Sequence, residues 1–280
     1  MRVAGIFIFL SCLLLASCQQ NITLELPKYN PQVCVYCILV PGGGYPKMFL
    51  NLSQSYYNYG DTSGGVRVIK NATVTITDQT TNLVDKLFLD SGYLNSPDTN
   101  MAWFYTVRNG PGTQAGHHYI ANINYNGQII TAETTIPQAV KIDTVTYERN
   151  FNPSSGWWNY TFHYLFHDIS GEPNYYTALQ PNSYTGNNFY TNFISDAGQD
   201  GQQLEITTTA NAVASPPITL NAQMETVTEA MAKYEADVWT QHQSHGPLSA
   251  PVVIESNING GLGVFGAYVN SPTYLIKIIK

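Results

Sequence analysis

Charge is scarce in this chain. Only 11% of its 280 residues are Asp, Glu, Lys or Arg, against about 25% in an average soluble domain. Basic residues are the scarcest, 12 against 19 acidic ones, for a formal charge of −7. With no basic stripe to neutralise phosphates, nucleic-acid binding is disfavoured, and so is electrostatic docking on anionic lipid. There are 4 cysteines. The one conspicuous apolar run, residues 3–15, falls short of the ~20 residues that a helical membrane span needs. No internal repeat and no long linker interrupts the chain. Asn, Thr, Tyr and Gly fill the space left by charge, and Tyr alone occurs 20 times. Tyr and Thr favour strands, while Asn and Gly favour the turns between them. The composition predicts a β-rich protein with an uncharged polar surface.

The N-terminus carries the sharpest motif. Arg2 and the apolar run 3–15 lead into Leu15-Ala16-Ser17-Cys18. This is the layout of a bacterial secretory signal that ends in a lipobox. Small residues at Ala16 and Ser17 let the chain enter a narrow peptidase cleft. The Cys18 thiol can then take a diacylglyceryl group, and its freed amine can be acylated. The plainer alternative is an ordinary signal peptide with a chance cysteine. The lipobox predicts a signal over residues 1–17, a mature chain that starts at Cys18, and anchoring by two or three acyl chains at about 0.8 kcal/mol per buried CH₂. Gln19 follows, without the aspartate expected of inner-membrane retention. The expected location is the outer membrane, with the periplasmic or surface face left open.

Residues 18–31 read as a tether. Short strands follow at 33–40, 47–53, 72–77, 84–89, 103–107, 118–125 and 128–135, with Asn126-Gly127 as a hairpin signal between the last two. Seven or eight strands over 32–137 predict an immunoglobulin-like β-sandwich. Residues 138–280 predict a second β-rich domain, with strands at 142–147, 159–166, 174–179, 204–209 and 218–223. One helix is expected over about 227–244. There Thr226-Val227-Thr228-Glu229 has the form of a capping box, and Val227, Met231, Tyr234 and Val238 keep helical spacing.

Cys34-Val35-Tyr36-Cys37 has redox or zinc spacing, but its β-type flanks argue otherwise. Residues three apart on a strand point to opposite faces. Their Cα atoms lie roughly 10 Å apart, too far for a disulfide. A zinc site also lacks its second ligand pair. Buried strand thiols are expected.

The chain resembles a family of Bacteroidota lipoproteins catalogued as domain-of-unknown-function family forty-two forty-nine. Four places carry the likeness: the strand 34–40 with its Gly-rich turn and Pro46; Asn71-Ala72-Thr73-Val74-Thr75-Ile76; Glu172-Pro173-Asn174-Tyr175-Tyr176 after Asp168; and Ser249-Ala250-Pro251 with Ser256-Asn257-Ile258-Asn259-Gly260-Gly261-Leu262-Gly263-Val264-Phe265-Gly266. The last block is the most specific. Cys34 and Cys37 depart from the apolar or acidic residues usual in the first strand. Members are often encoded near TonB-dependent outer-membrane receptors, so the resemblance implies such a receptor as partner. It implies no catalytic residues.

The remaining candidates are weak as chemistry. Gly261-Leu262-Gly263-Val264-Phe265-Gly266 matches G-x-G-x-x-G, yet a dinucleotide site needs a helix after it and an acid about 20 positions on. The block is expected to be structural, pinning the last strand into the second domain, with no nucleotide bound. His242 and His245 lack a third metal ligand, and the pairs His117-His118 and His163/His167 offer no better set. Asp196-Ala197-Gly198-Gln199-Asp200-Gly201 lacks the alternate acids of a calcium-binding EF-hand loop and reads as a surface turn. No metal or other cofactor is expected, and no G-x-S-x-G or comparable catalytic frame is present. Aromatic clusters beside amides are the candidate ligand surfaces: Tyr56, Tyr57 and Tyr59; Trp157, Trp158 and Tyr160; and residues 184–190. They suit sugars, peptides or protein interfaces. The expected role is a non-enzymatic binding or accessory one. The alternatives are an enzyme acting on glycans or peptides, and a structural adhesin.

Overall fold

Alternation of apolar and polar side chains builds the strands of this protein, as a period of two requires. The computed structural model describes residues 29–54, 67–91, 103–110, 112–154, 156–181, 193–213, 216–244 and 252–279. The signal segment and Cys18 lie outside the described residues. Pro31–Lys280 groups as one compact unit, distinct from Met1–Asn30.

The N-terminal half contributes β1 (Val33–Leu39), β2 (Lys47–Leu52), β3 (Arg67–Val68), β4 (Thr73–Asp78), β5 (Leu83–Ser91), β6 (Trp103–Thr106), β7 (His118–Tyr125) and β8 (Gln128–Thr135). In β1, Val33, Val35, Cys37 and Leu39 are buried, while the residues between them are not. β5 pairs with β4 through Leu83–Leu87 and with β6 through Phe88–Ser91. One strand thereby passes from one layer to the other, a usual way to make a corner. Val35, Leu50 and Tyr105 of one layer share a core with Val74, Ile76 and Ile123 of the other, the sandwich-like arrangement expected. Asn126 and Gly127 have φ of 51° and 85°, the left-handed pair that a tight hairpin needs.

The C-terminal half contributes β9 (Ile142–Asn152), β10 (Trp157–His167), β11 (Tyr175–Ala178), β12 (Ile194–Ser195), β13 (Gln203–Val213), β14 (Ile218–Ala222), β15 (Met224–Val227), the helix α1 (Glu229–Gln243), β16 (Leu262–Asn270) and β17 (Tyr274–Ile278). The protein is mainly β, with one helix among the described residues. β13, β10 and β9 form a sheet of their own, and β14 pairs with β17. Tyr160, Phe162, Tyr164 and Phe166 of β10 fill a second core with Leu204, Ile206 and Leu220.

Backbone pairing crosses residue 137. β16 runs parallel to β1, from Cys34 opposite Leu262 to Leu39 opposite Ala267. The large sheet follows the order β12-β11-β15-β16-β1-β2-β6-β5-β4-β7-β8, and Ile258, Phe265 and Ala267 join the N-terminal core. The glycine block therefore pins β16 against β1. The last strand, β17, is held by β14 instead.

The helix also departs from its expected start. Thr226 and Val227 belong to β15, where every side chain is buried. Thr226 pairs with Tyr176 of β11 and Val269 of β16. Neighbouring strands on both sides claim the backbone that a helix start would have used. The N-cap is Thr228, which makes no side-chain cap hydrogen bond. Its hydroxyl accepts from the Ala267 N–H at 3.1 Å and ties the helix to β16. No helix among the described residues is long and apolar enough to cross a membrane.

Candidate functional site

Three carboxylates that are far apart in sequence converge where β10 and β12 end. Asp168 directly follows β10, Asp196 directly follows β12, and Asp200 lies in the turn that leads to β13. One carboxylate oxygen from each lies within 4.8 Å of the others. Asp168 is held firmly. Its Oδ2 accepts from the Gly201 N–H at 2.7 Å, and its Oδ1 accepts from the Tyr176 hydroxyl and from Asn174 Nδ2. Asn174 Nδ2 also donates to the carbonyls of Ile169 and Glu172, both at 2.8 Å, folding the Asp168–Asn174 loop onto itself. Burial, followed by the hydrogen bond to Asp168, pushes the Tyr176 hydroxyl pKa well up, so it remains a donor. Asp200 Oδ1 accepts from the Gly171 N–H at 2.8 Å.

Asp196 differs from both. It is 6% exposed, and its carboxylate accepts no hydrogen bond among the described residues. No Lys, Arg or His of the described residues makes an ion pair with any of the three. An open cleft of about 380 Å³ lies against the cluster, lined by Glu172, Pro173, Tyr175, Ser195, Asp196 and Asp200 among others. The segment after Asp196 is the surface turn that its sequence predicts, closed by the Gln199 N–H on the Asp196 carbonyl at 2.6 Å. Its first acid, however, faces inward to meet Asp168. Sequence reasoning missed this because the partner lies on another strand. The available signal was the block Asp168 to Tyr176, whose Asn and Tyr side chains orient Asp168.

The aromatic candidates separate. Trp157 is 47% exposed and Phe151, across the β9–β10 hairpin, is 45% exposed. Trp158 packs on Phe151 with ring centroids 5.2 Å apart, and the Arg149 guanidinium lies 4.9 Å from the Trp158 ring centre. Tyr160 is a correction. It is 1% exposed and packs on Tyr147 and Phe162 in the core, because strand alternation turns it inward. Tyr56, Tyr57, Tyr59, residues 184–190 and His245 lie outside the described residues.

The histidines on β10 pair with acids on neighbouring strands: His163 Nδ1 with Glu205 and His167 Nδ1 with Asp143, each at 2.6 Å. Cys34 and Cys37 are both free. Burial pushes the Cys37 thiol up to about 12 and raises Cys34 as well. Where α1 covers β1, the Tyr36 hydroxyl donates to Glu235 Oε1 at 3.3 Å, beside Tyr234. Burial raises the Glu235 carboxyl above its usual range, and the Tyr36 hydrogen bond offsets part of this.

The glycine motif has no phosphate-binding geometry. A strand, β16, runs through it and onward, and among the described residues no helix follows it to present its N-terminus as a dinucleotide site requires. Its glycines permit close packing instead. A Cβ on Gly261 would lie 2.7 Å from the Val33 carbonyl oxygen, and one on Gly266 would lie 2.9 Å from Met231 Cβ.

These features define a mainly β protein whose N- and C-terminal segments share one sheet and whose acidic cluster borders an open cleft. The family model described as "Domain of unknown function (DUF4249)" matches residues 19–273, and the chain belongs to that family. No curated protein and no solved structure matches it.

Proposed function

We propose that this protein is a lipid-anchored outer-membrane protein, attached through Cys18, that serves as a non-enzymatic binding or accessory partner of a TonB-dependent transporter. The observation that carries this reading is Leu15-Ala16-Ser17-Cys18 after the apolar run 3–15. The family match begins at residue 19, directly after the lipidated position. On the body, Phe151 packed on Trp158 at the β9–β10 hairpin supplies an aromatic face suited to a partner or ligand, and exposed Trp157 points from the opposite face of the strand. A low content of charge fits a surface that recognises through aromatic and amide groups.

The test has two parts. Cys18→Ala should leave the chain unprocessed or move it to the soluble fraction. A variant that still matures and stays with outer-membrane lipid overturns the anchor. A tagged wild-type protein, purified from detergent-solubilised membrane, should bring down a TonB-dependent receptor by mass spectrometry. Its absence, with the anchor intact, overturns the accessory role.

A further inference from the structure

We propose that Asp168, Asp196 and Asp200 form a calcium site that fastens the ends of β10 and β12 together. Three features of the cluster point to a cation. Ligand oxygens around one Ca²⁺ lie about 2.3–2.6 Å from the ion, so no two are separated by much more than ~5 Å. The three carboxylate oxygens meet that condition, all lying within 4.8 Å of one another. The second feature is Asp196. Asp196 is 6% exposed and accepts no hydrogen bond among the described residues, so its carboxylate is solvated only through its edge on the cleft. It faces the other two acids, where a cation would complete its shell. The third is the division of labour around Asp168. Gly201, Asn174 and Tyr176 hold it by hydrogen bonds. Outer partners of this kind orient a metal ligand while leaving lone pairs for the ion.

The donor set selects the metal. All three ligands are carboxylate oxygens, with no His or Cys in the cluster. Hard oxygen sets suit Ca²⁺ or Mg²⁺, whereas zinc and copper sites draw on nitrogen and sulfur. Ca²⁺ takes 6–8 oxygens in adaptable geometry. The open cleft beside Asp196 and Asp200 admits the waters that fill the remaining positions. Affinity in the range of extracellular calcium modules, about 10⁻⁴ M, is expected. The site does not depend on the lipid anchor or on any transporter.

The experiment uses the full purified chain, stripped with EDTA and titrated with CaCl₂. At saturating calcium the melting temperature should rise by roughly 5 °C. Tb³⁺ should bind at the same place and luminesce on tyrosine excitation, because Tyr175 lines the cleft and Tyr176 contacts Asp168. Added Ca²⁺ should quench that signal. Asp196→Asn removes the charge of a side chain that makes no hydrogen bond among the described residues, so it should fold and lose both responses. Asp200→Asn keeps an oxygen for the Gly171 N–H and should weaken calcium at least tenfold, which carries the test if Asp196→Asn fails to fold. Wild-type protein that shows neither response at millimolar calcium overturns the proposal. So does a calcium response that survives both substitutions, because the ion would then lie elsewhere.

Discussion

Replacing Gly263 with alanine is the most searching test of how the two ends of the body are joined. Gly263 lies opposite Val35 within the parallel β1–β16 pairing and has φ of +109°. Two costs add there. An L-residue forced into this region of backbone space costs about 1–3 kcal/mol. A Cβ would also fall within contact distance of the Val35 carbonyl oxygen and carbon, and backbone cannot swing aside as a side chain can. β1 and β16 must part locally, losing one or two ladder hydrogen bonds at about 1 kcal/mol each. The sum is about 2–5 kcal/mol, or roughly 4–20 °C in Tm for a body of this size. The assay is urea unfolding followed by tryptophan fluorescence, with an unchanged m-value as the check that the folded surface is retained. Gly44→Ala is the matched control. Gly44 has φ of +94° but nothing within 4 Å of an added Cβ, so it should show the backbone cost alone, about 1–3 kcal/mol. The reasoning fails if Gly263→Ala loses less than about 1 kcal/mol, or if Gly44→Ala is equally damaging.

Two further substitutions test the packing. The Tyr160 hydroxyl is buried with no hydrogen-bond partner among the described residues, so Tyr160→Phe should be neutral or stabilising by up to about 1 kcal/mol, whereas Tyr160→Ala should cost about 3–5 kcal/mol; a destabilising Tyr160→Phe would reveal a partner for the hydroxyl. Glu235, on the face of α1 that meets Tyr36 of β1, has its carboxyl raised by burial. The folded state therefore holds its proton to higher pH than the unfolded chain, and this group's contribution to stability rises as pH falls from neutral through its raised folded value, then levels off below the ordinary glutamate range. Glu235→Gln should flatten that dependence and match or exceed wild type at neutral pH, as read from urea midpoints across the range; an unchanged pH profile would exclude Glu235 as its source.

Local signals in the sequence were read well. The Asn126-Gly127 hairpin and its two strands appear at their expected bounds, because turn chemistry and period-two alternation are encoded within a few residues. The alternating core face of β10 was likewise legible in Phe162, Tyr164 and Phe166. β15 was not, because a short strand covered on all sides has no alternation to display. Its Thr226 also stands three residues before a glutamate, which imitates a helix cap. Non-local features left still less trace. The β1–β16 pairing joins opposite ends of the body, and the meeting of Asp168 with Asp196 depends on two strands stopping at the same place. Neither is written in any one window. The glycine block did announce close backbone packing, but not which strand would approach it.

The parallel pairing of β1 with β16 also has a temporal side. β1 is among the first parts of the body to be made, and β16 among the last. Until β16 arrives, one edge of β1 has unpaired N–H and C=O groups, a template on which a second chain can add. Contacts between such distant segments slow folding, because the loop between them must close before they contribute. A chain cut short before Leu262 would keep that edge open permanently, with the apolar residues of β1 beside it. Newly made protein is thus most vulnerable to self-association before β16 emerges, and any factor that shields β1 during synthesis would act on yield without altering the finished molecule.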